Sequence, residues 1–278
     1  MRSSLMKLSC LPVSLYEGIF SGERSVLDWV HLGGDLGLDG IDVSVKFFPS
    51  REKQMLEEVC KEVEQMNLDL CTVVCYPDFT HPDVIERERE ISQITSDIQL
   101  AATLGAKFIR VTAGQNHPGL EREQAIGWVV EGFNRILDVA EKFGVILTYE
   151  NHTKGAPWKY WDFSQPKDVF LEILGNFTNT SLKVCFDTAN SLVLGDDPIE
   201  LLKIVKNEVA TVHVFDIRAA NSFEPVLIGT GASPIREILS FLKHSGFDGW
   251  LSIEEASQMG YDGFARAISF VRDTWEKV

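Results

Sequence analysis

Four side chains stand where short apolar runs give out: Glu150 in LTYEN, Asp187 in VCFDTAN, His213 in TVHVFD and Glu254 in LSIEE. A buried charge is costly unless it is paired or bound to a cation. Three carboxylates brought to one place would repel strongly unless a divalent ion sat among them. With one imidazole added, the donor set is mixed oxygen and nitrogen, suited to Mn²⁺, Co²⁺, Mg²⁺ or Zn²⁺. Each residue alone has a plainer account. Glu150 or Glu254 could close a salt bridge, Asp187 could cap a helix, and His213 could be a satisfied core histidine. Their recurrence at the ends of four successive runs favours a shared cation. Asp187 is then read as a ligand, with Thr188 or Asn190 left to serve the helix that follows.

Eight short apolar runs supply the strands that would carry these groups. They are centred near Leu8, Ile41, Val73, Ile109, Leu147, Cys185, Val212 and Leu251. Amphipathic stretches lie between them. REKQMLEEVCKEVEQMN places Met55, Val59, Val63 and Met66 at helical spacing. EREISQITSDIQLAATLG and EQAIGWVVEGFNRILDVAEKFG each stop at a glycine. DPIELLKIVKN opens with Pro198 after an aspartate, and SPIREILSFLKHSGF and YDGFARAISFVRDTWEKV read as two more helices. A repeat of about 35 residues per strand–helix unit predicts the α/β class and a (β/α)8 TIM barrel. No linker or low-complexity tract interrupts it, so residues 1–278 are read as one domain. An open doubly wound sheet would usually show an early G-x-G-x-x-G, which is missing. In a parallel barrel the site lies at the carboxyl ends of the strands. Strand residues alternate sides, so Thr148, Cys185, Thr211 and Ser252 fall beneath the four candidates, and Val184 and Phe186 face the helices.

The same residues carry a family resemblance. ENH, FDTAN, HVFD and SIEE resemble the metal-binding strand ends of the xylose-isomerase-like superfamily of sugar-phosphate isomerases and epimerases. The resemblance covers almost the whole chain and is strongest to the ketose 3-epimerase and hydroxypyruvate isomerase-like branch. It implies one divalent ion, manganese first, held by Glu150, Asp187, His213 and Glu254. Glu150 and Glu254 would double as the catalytic acid/base pair. The implied activity is a metal-dependent ketose-type epimerase or isomerase, removing a proton next to a carbonyl through a metal-stabilised enediolate. Loss of a β-hydroxyl from the same species would instead make an inosose or dehydroshikimate-type dehydratase. The superfamily also includes endonuclease IV-type repair enzymes, whose strand-six motif reads Asp-Thr-x-His. Here that position is Asn190, a poor ligand for a multinuclear zinc centre.

Other residues are candidates for holding a substrate. His152 follows Glu150 by two. Trp158, Tyr160 and Trp161 lie in KGAPWKYWDFS and could pack on sugar C–H faces. Arg110 closes the fourth run and could instead form an ion pair inside the barrel. Asp216 is three beyond His213 and would support the site from behind. Arg218 is five beyond His213, where ketose 3-epimerases carry an arginine at six. Asn190 completes the substrate-binding set. Gly229 and Gly231 could form a tight turn over the mouth or bind phosphate, but no cationic cluster marks a phosphate site. A non-phosphorylated sugar or polyol is therefore the expected partner.

The bulk numbers narrow the classes. A net charge of −15 repels phosphate backbones, so nucleic acid is not expected. No apolar run is long enough for a membrane span, and MRSSLMKLSC lacks the apolar stretch of a signal peptide. Five scattered cysteines point to reduced thiols and a cytoplasmic location. Barrels of this kind commonly associate, so a homodimer or homotetramer is open.

Overall fold

A computed structural model of the chain describes residues 6–155 and 157–278. The first five residues of MRSSLMKLSC, and Ala156 in the KGAPWKYWDFS loop, lie outside the described residues. Eight strands are present: β1 (Lys7–Leu11), β2 (Gly40–Ser44), β3 (Asp69–Val74), β4 (Phe108–Val111), β5 (Ile146–Glu150), β6 (Lys183–Asp187), β7 (Val209–Val214) and β8 (Trp250–Glu254). They form one parallel sheet in the order β1-β8-β7-β6-β5-β4-β3-β2. The seam between β1 and β2 is closed at Asp39, whose N–H donates to the Leu8 carbonyl at 2.9 Å. Its carboxylate accepts from the Leu8 N–H at 2.9 Å. The result is a nearly closed α/β TIM barrel.

Nine helices are found among the described residues: α1 (Tyr16–Phe20), α2 (Val26–Asp35), α3 (Lys53–Gln65), α4 (Val84–Thr103), α5 (Arg122–Phe143), α6 (Lys167–Gly175), α7 (Pro198–Val205), α8 (Ile235–His244) and α9 (Tyr261–Lys277). Their limits have local causes. Gly144 ends α5 at φ +71°, a conformation costly for any residue with a Cβ. Pro198 opens α7 behind the Asp197 cap. Two helices are weakly marked in the sequence. α2 holds the pair Gly33–Gly34 but is started by a Ser25–Asp28 capping box, and α6 has only nine residues. No described helix is long and apolar enough to cross a membrane. All five cysteines are free thiols.

The barrel interior is layered. Its floor is apolar, with Cys71, Phe108 and Trp250 packed together alongside Ile146. A Cβ at Gly40 would come 3.0 Å from the Trp250 ring and 2.6 Å from the Asp69 carbonyl, so glycine is what lets the indole lie there. The middle layer is polar, unlike the aliphatic filling usual in such barrels. Asp42 lies there, fully buried, accepting from Ser9 Oγ at 3.3 Å, Thr72 N–H at 3.0 Å and Ser252 Oγ. Arg110, Thr148, Cys185 and Thr211 share its burial. The mouth is the third layer.

Candidate metal centre at the barrel mouth

The mouth gathers the residues that end β5, β6, β7 and β8. Glu150, Asp187, His213 and Glu254 each offer one donor atom, and these atoms all lie within 4.8 Å of one another. His213 Nδ1 is 2.9 Å from Glu150 Oε1 and 3.1 Å from Glu254 Oε2. Adjacent ligands of a small octahedral cation stand about 3 Å apart for bonds of about 2.1 Å. Asp187 Oδ2 is buried with no hydrogen-bond partner, an arrangement that is costly unless something binds there. The donor set and this orphaned oxygen fit a divalent cation. Glu150, Cys185 and His213 form an overlapping set. Burial pushes the Cys185 thiol up in pKa, which keeps it a neutral neighbour rather than a ligand for a hard ion.

The free electrostatics of this cluster are unfavourable, and the fold compensates in part. Burial raises Asp187 well above the usual carboxylate range, and the charges of Glu254 and Glu150 add to the effect. Burial alone would raise Glu150 as well. Arg110, then His213, outweigh it and pull Glu150 down to about 2. Arg110 is 2 % exposed, with Nε 3.0 Å from Glu150 Oε2. That contact is an ion pair rather than a hydrogen bond, because neither atom has a partner of bonding geometry. Its Nη1 donates to the Cys75 carbonyl at 3.0 Å, and its guanidinium lies 4.4 Å from the Tyr76 ring centroid. Burial opposes protonation of His213, but contacts with Cys185 and Glu150 raise it well above its ordinary value.

Asp187 does two things at once. Its Oδ1 accepts from the N–H groups of Ala189 (2.8 Å) and Asn190 (2.7 Å), capping the turn that follows β6, while Oδ2 stays free. The division of labour expected from the sequence is corrected here: Asp187 itself is the cap. Thr188 instead ties β6 to β7, donating from Oγ1 to the Phe215 carbonyl at 2.7 Å and accepting its N–H at 2.9 Å. Asn151 joins β5 to β6 through both its amide atoms, which meet the Asp187 N–H (2.8 Å) and carbonyl (3.1 Å).

The family model for the xylose isomerase-like TIM barrel matches residues 30–274. The chain belongs to that family. Among curated proteins it is similar to "Probable endonuclease 4" of Acholeplasma laidlawii, 24 % identical over 212 residues, covering 70 % of this chain and 71 % of that one. Among solved structures it resembles D-psicose 3-epimerase from Clostridium cellulolyticum H10, TM-score 0.80 at 15 % identity over 97 % of this chain and 99 % of that one. It also resembles the "probable 3-DHS dehydratase AsbF" from Bacillus anthracis, TM-score 0.77 at 17 % identity, covering 95 % and 98 %. The IolI protein, solved with a bound zinc atom, matches with a TM-score of 0.79 at 17 % identity, covering 98 % and 99 %. At these identities the structures establish the fold. They spread over several reactions of the xylose isomerase-like family.

The remaining sequence candidates divide into those facing the cluster and those held elsewhere. His152 is buried, with Nδ1 3.2 Å from Asp162 Oδ2. Asp162 is fixed in turn by the N–H and Oγ of Ser164, both at 2.7 Å. Trp158 meets the His152 ring edge-on at 5.5 Å and donates from Nε1 to the Tyr76 carbonyl at 3.3 Å. Asn190 is buried beside Asp187, and its Oδ1 accepts from Thr153 Oγ1 at 3.1 Å. Arg218 is turned to solvent, 64 % exposed, and pairs with Glu224 at 2.7 Å. Asp216 is buried, and its carboxylate accepts from the N–H groups of Gly229 (2.9 Å), Gly231 (2.8 Å) and Ser233 (3.0 Å). That turn is therefore filled by an internal carboxylate, and its N–H groups are not free for phosphate. Glu255 turns away from the cluster to Ser257.

Asn151, Asp162 and Tyr76 belong to the surroundings of the centre without having been singled out by the sequence. Asn151 had a signal, since it sits inside ENH next to a ligand. Asp162 and Tyr76 had none, because loop geometry brings Asp162 back onto His152 and Tyr76 onto Arg110 and His152.

Proposed function

We propose that the protein is a metal-dependent sugar epimerase or isomerase acting on a ketose-type substrate by proton transfer at the carbon next to a carbonyl. The observation that carries this is the convergence of two glutamates, from β5 and β8, on one aspartate and one imidazole at the barrel mouth. Glu150, Asp187, His213 and Glu254 would hold the divalent ion, manganese first, with magnesium, cobalt or zinc as alternatives. When bound, it would supply Lewis-acid polarisation of a carbonyl oxygen.

The chain's own residues do the rest. Glu150 is held rigidly by Arg110 and His213. Glu254 has 22 % of its side chain exposed, against 1 % for Glu150 and His213, so it meets an incoming molecule first. One carboxylate takes the carbon-bound proton and the other returns one, at the same carbon for epimerisation or its neighbour for isomerisation. His152, fixed by Asp162, and Trp158 close the β5 side and exclude water. A dehydratase is the second reading. The His152–Asp162 pair favours it, because an imidazole oriented by a buried carboxylate can protonate a departing hydroxyl. The charge of −15 and the engagement of Asn190 by Thr153 support a small polyol over nucleic acid.

The test is a screen of manganese-loaded protein against ketoses and dehydratase substrates in deuterated water, followed by NMR. Exchange of a carbon-bound proton without mass loss is the expected result. Loss of water selects the dehydratase. No exchange with any ketose, together with incision of abasic DNA, refutes both.

A further inference from the structure

The loop between β5 and α6 walls one side of the mouth, and the side chain that holds it lies outside the ligand cluster. Gln115, in the loop after β4, is half-buried. Its Oε1 accepts from two backbone N–H groups of the β5 loop, Lys159 at 2.7 Å and Tyr160 at 3.0 Å. Its Nε2 donates to Asp78 Oδ2 at 2.8 Å. A backbone N–H only donates and an ionised carboxylate only accepts, so the two ends of this amide cannot be exchanged. Asp78, in the loop after β3, is buried. Its Oδ1 accepts from the Gln115 N–H at 2.9 Å, and its Oδ2 lies 2.8 Å from His117 Nε2. Gly114 permits this approach: its φ is +127°, and a Cβ there would come 2.7 Å from Asp78 Oδ1. Gln115 thus joins the loops after β3, β4 and β5.

The backbone continues the strap. The Asn116 N–H donates to the Trp161 carbonyl and the Phe163 N–H to the Gly114 carbonyl, both at 2.8 Å. Gln115 and Asp162 pair as an antiparallel bridge. Asp162 is held there with Oδ2 3.2 Å from His152 Nδ1. Trp158, directly before the two residues that Gln115 Oε1 holds, meets the same imidazole edge-on at 5.5 Å. Two groups that fix the His152 ring therefore sit on one short segment, residues 158–163, strapped to Gln115 and its neighbours. Lys159 is exposed, so water replaces Oε1 at its N–H once the glutamine is lost. Loss of Gln115 should then loosen the loop while the barrel stands.

We propose that Gln115 is a positioning residue: through the backbone of residues 158–163 it sets the His152–Asp162 pair and Trp158 at the mouth, without itself touching substrate or ion. This rests on the epimerase or isomerase reading of the site. The test compares wild type with Gln115→Met, similar in size but lacking the amide, and with Gln115→Glu, which keeps an oxygen for the two N–H groups and loses only the donor to Asp78. Three quantities are read: amide hydrogen exchange of residues 158–163 by mass spectrometry without substrate, the manganese-dependent rise in melting temperature, and kcat/KM for carbon-bound proton exchange with D-tagatose or D-fructose. In Gln115→Met the segment should exchange at least about tenfold faster than in wild type, because two of its N–H groups lose their acceptor. Gln115→Glu should exchange at a rate between the two, which keeps the test open if the methionine variant fails to fold. The manganese-dependent rise should be unchanged, because no ligand lies on the strap. A small misplacement of groups at the reacting centre costs up to about 100-fold, so kcat/KM should fall about 10–100-fold in Gln115→Met. In a His152→Ala background the same substitution should cost less than about threefold, because the imidazole it positions is gone.

Unchanged exchange of residues 158–163 overturns the proposal. So does a variant that only melts lower and keeps its kcat/KM, or one whose loss is the same with and without His152. A wild type that exchanges no ketose proton sinks the reading of the site instead, and the strap then stands or falls on the exchange of residues 158–163 alone.

Discussion

Asp187 offers a perturbation that separates its two jobs. Asparagine keeps an oxygen for the Ala189 and Asn190 N–H groups but replaces the free Oδ2 by an uncharged amide. Alanine removes both. If the mouth binds a divalent ion, metal at one hundred times its Kd stabilises wild type by about 2.7 kcal/mol. For a chain of this size that is a rise in Tm of about 5–10 °C. Loss of supporting partners around metal sites costs 10–100-fold in affinity, so loss of a direct anionic ligand should cost about 100-fold or more. At the same metal concentration the Asn variant is then near its own Kd, and its gain falls to about 0.4 kcal/mol, roughly 1 °C. Without metal the order reverses. Asp187→Asn removes a carboxyl that burial and the charges of Glu254 and Glu150 penalise, and should melt at or above wild type. Asp187→Ala loses the cap, worth about 1 kcal/mol, and should melt about 2–4 °C below Asp187→Asn. Differential scanning calorimetry with and without Mn²⁺, after chelator treatment, reads all of these. An Asn variant that keeps the full metal-dependent rise would refute the assignment of Asp187 Oδ2 to the ion. Equal metal-free melting of the Asn and Ala variants would refute the cap.

Glu150→Gln and Glu254→Gln should each lower turnover by about 10²–10⁴-fold with circular dichroism unchanged, and near-normal turnover in either would remove it from proton transfer. Arg110→Met leaves Glu150 buried without its cation and should destabilise the protein by about 3–5 kcal/mol in urea unfolding. The same variant should lose a pH dependence. Glu150 is held at about 2 in the fold, so its stabilisation is complete above the unfolded carboxylate pKa of about 4.3 and fades as pH falls toward 2. Asp216→Ala strips the acceptor from three backbone N–H groups and should lower Tm by about 5–10 °C while leaving the manganese-dependent rise intact. A loss of that rise would place Asp216 at the metal instead of in the loop.

The strands were legible because each is a buried apolar run. All eight expected centres, Leu8 to Leu251, fall inside β1 to β8. The glycine stops of α4 and α5 and the proline start of α7 were legible because they are local backbone physics. What escaped is what the third dimension decides. α2 and α6 are short, and α2 carries two glycines, so periodicity barely registers. Arg110 left both an ion pair and a substrate contact open until Glu150 was placed 3.0 Å away. Asp216, two residues past β7, and Asp162, twelve past β5, both lie in loops beyond strand ends. One fills a backbone turn and the other orients an imidazole, and only loop geometry distinguishes them. For Asp187, cap and ligand read as rivals in the sequence. A carboxylate has two oxygens, and this one uses each differently.

The charge balance at the mouth fits a dication. Glu150, Asp187 and Glu254 bring three negative charges, and Arg110 returns one positive charge. With a neutral imidazole at His213 the balance is minus two, the complement of one divalent ion. The His213 imidazole is driven toward its protonated form between Glu150 and Glu254, and Asp187 toward its neutral acid. The polar layer below fits the same view. Cys185 and Thr211 stand two residues before Asp187 and His213, and Ser252, two before Glu254, is spent on Asp42. Small side chains at this level leave the longer ones above free to converge. An aliphatic layer of the usual size would stabilise the barrel more and would push the ligands apart.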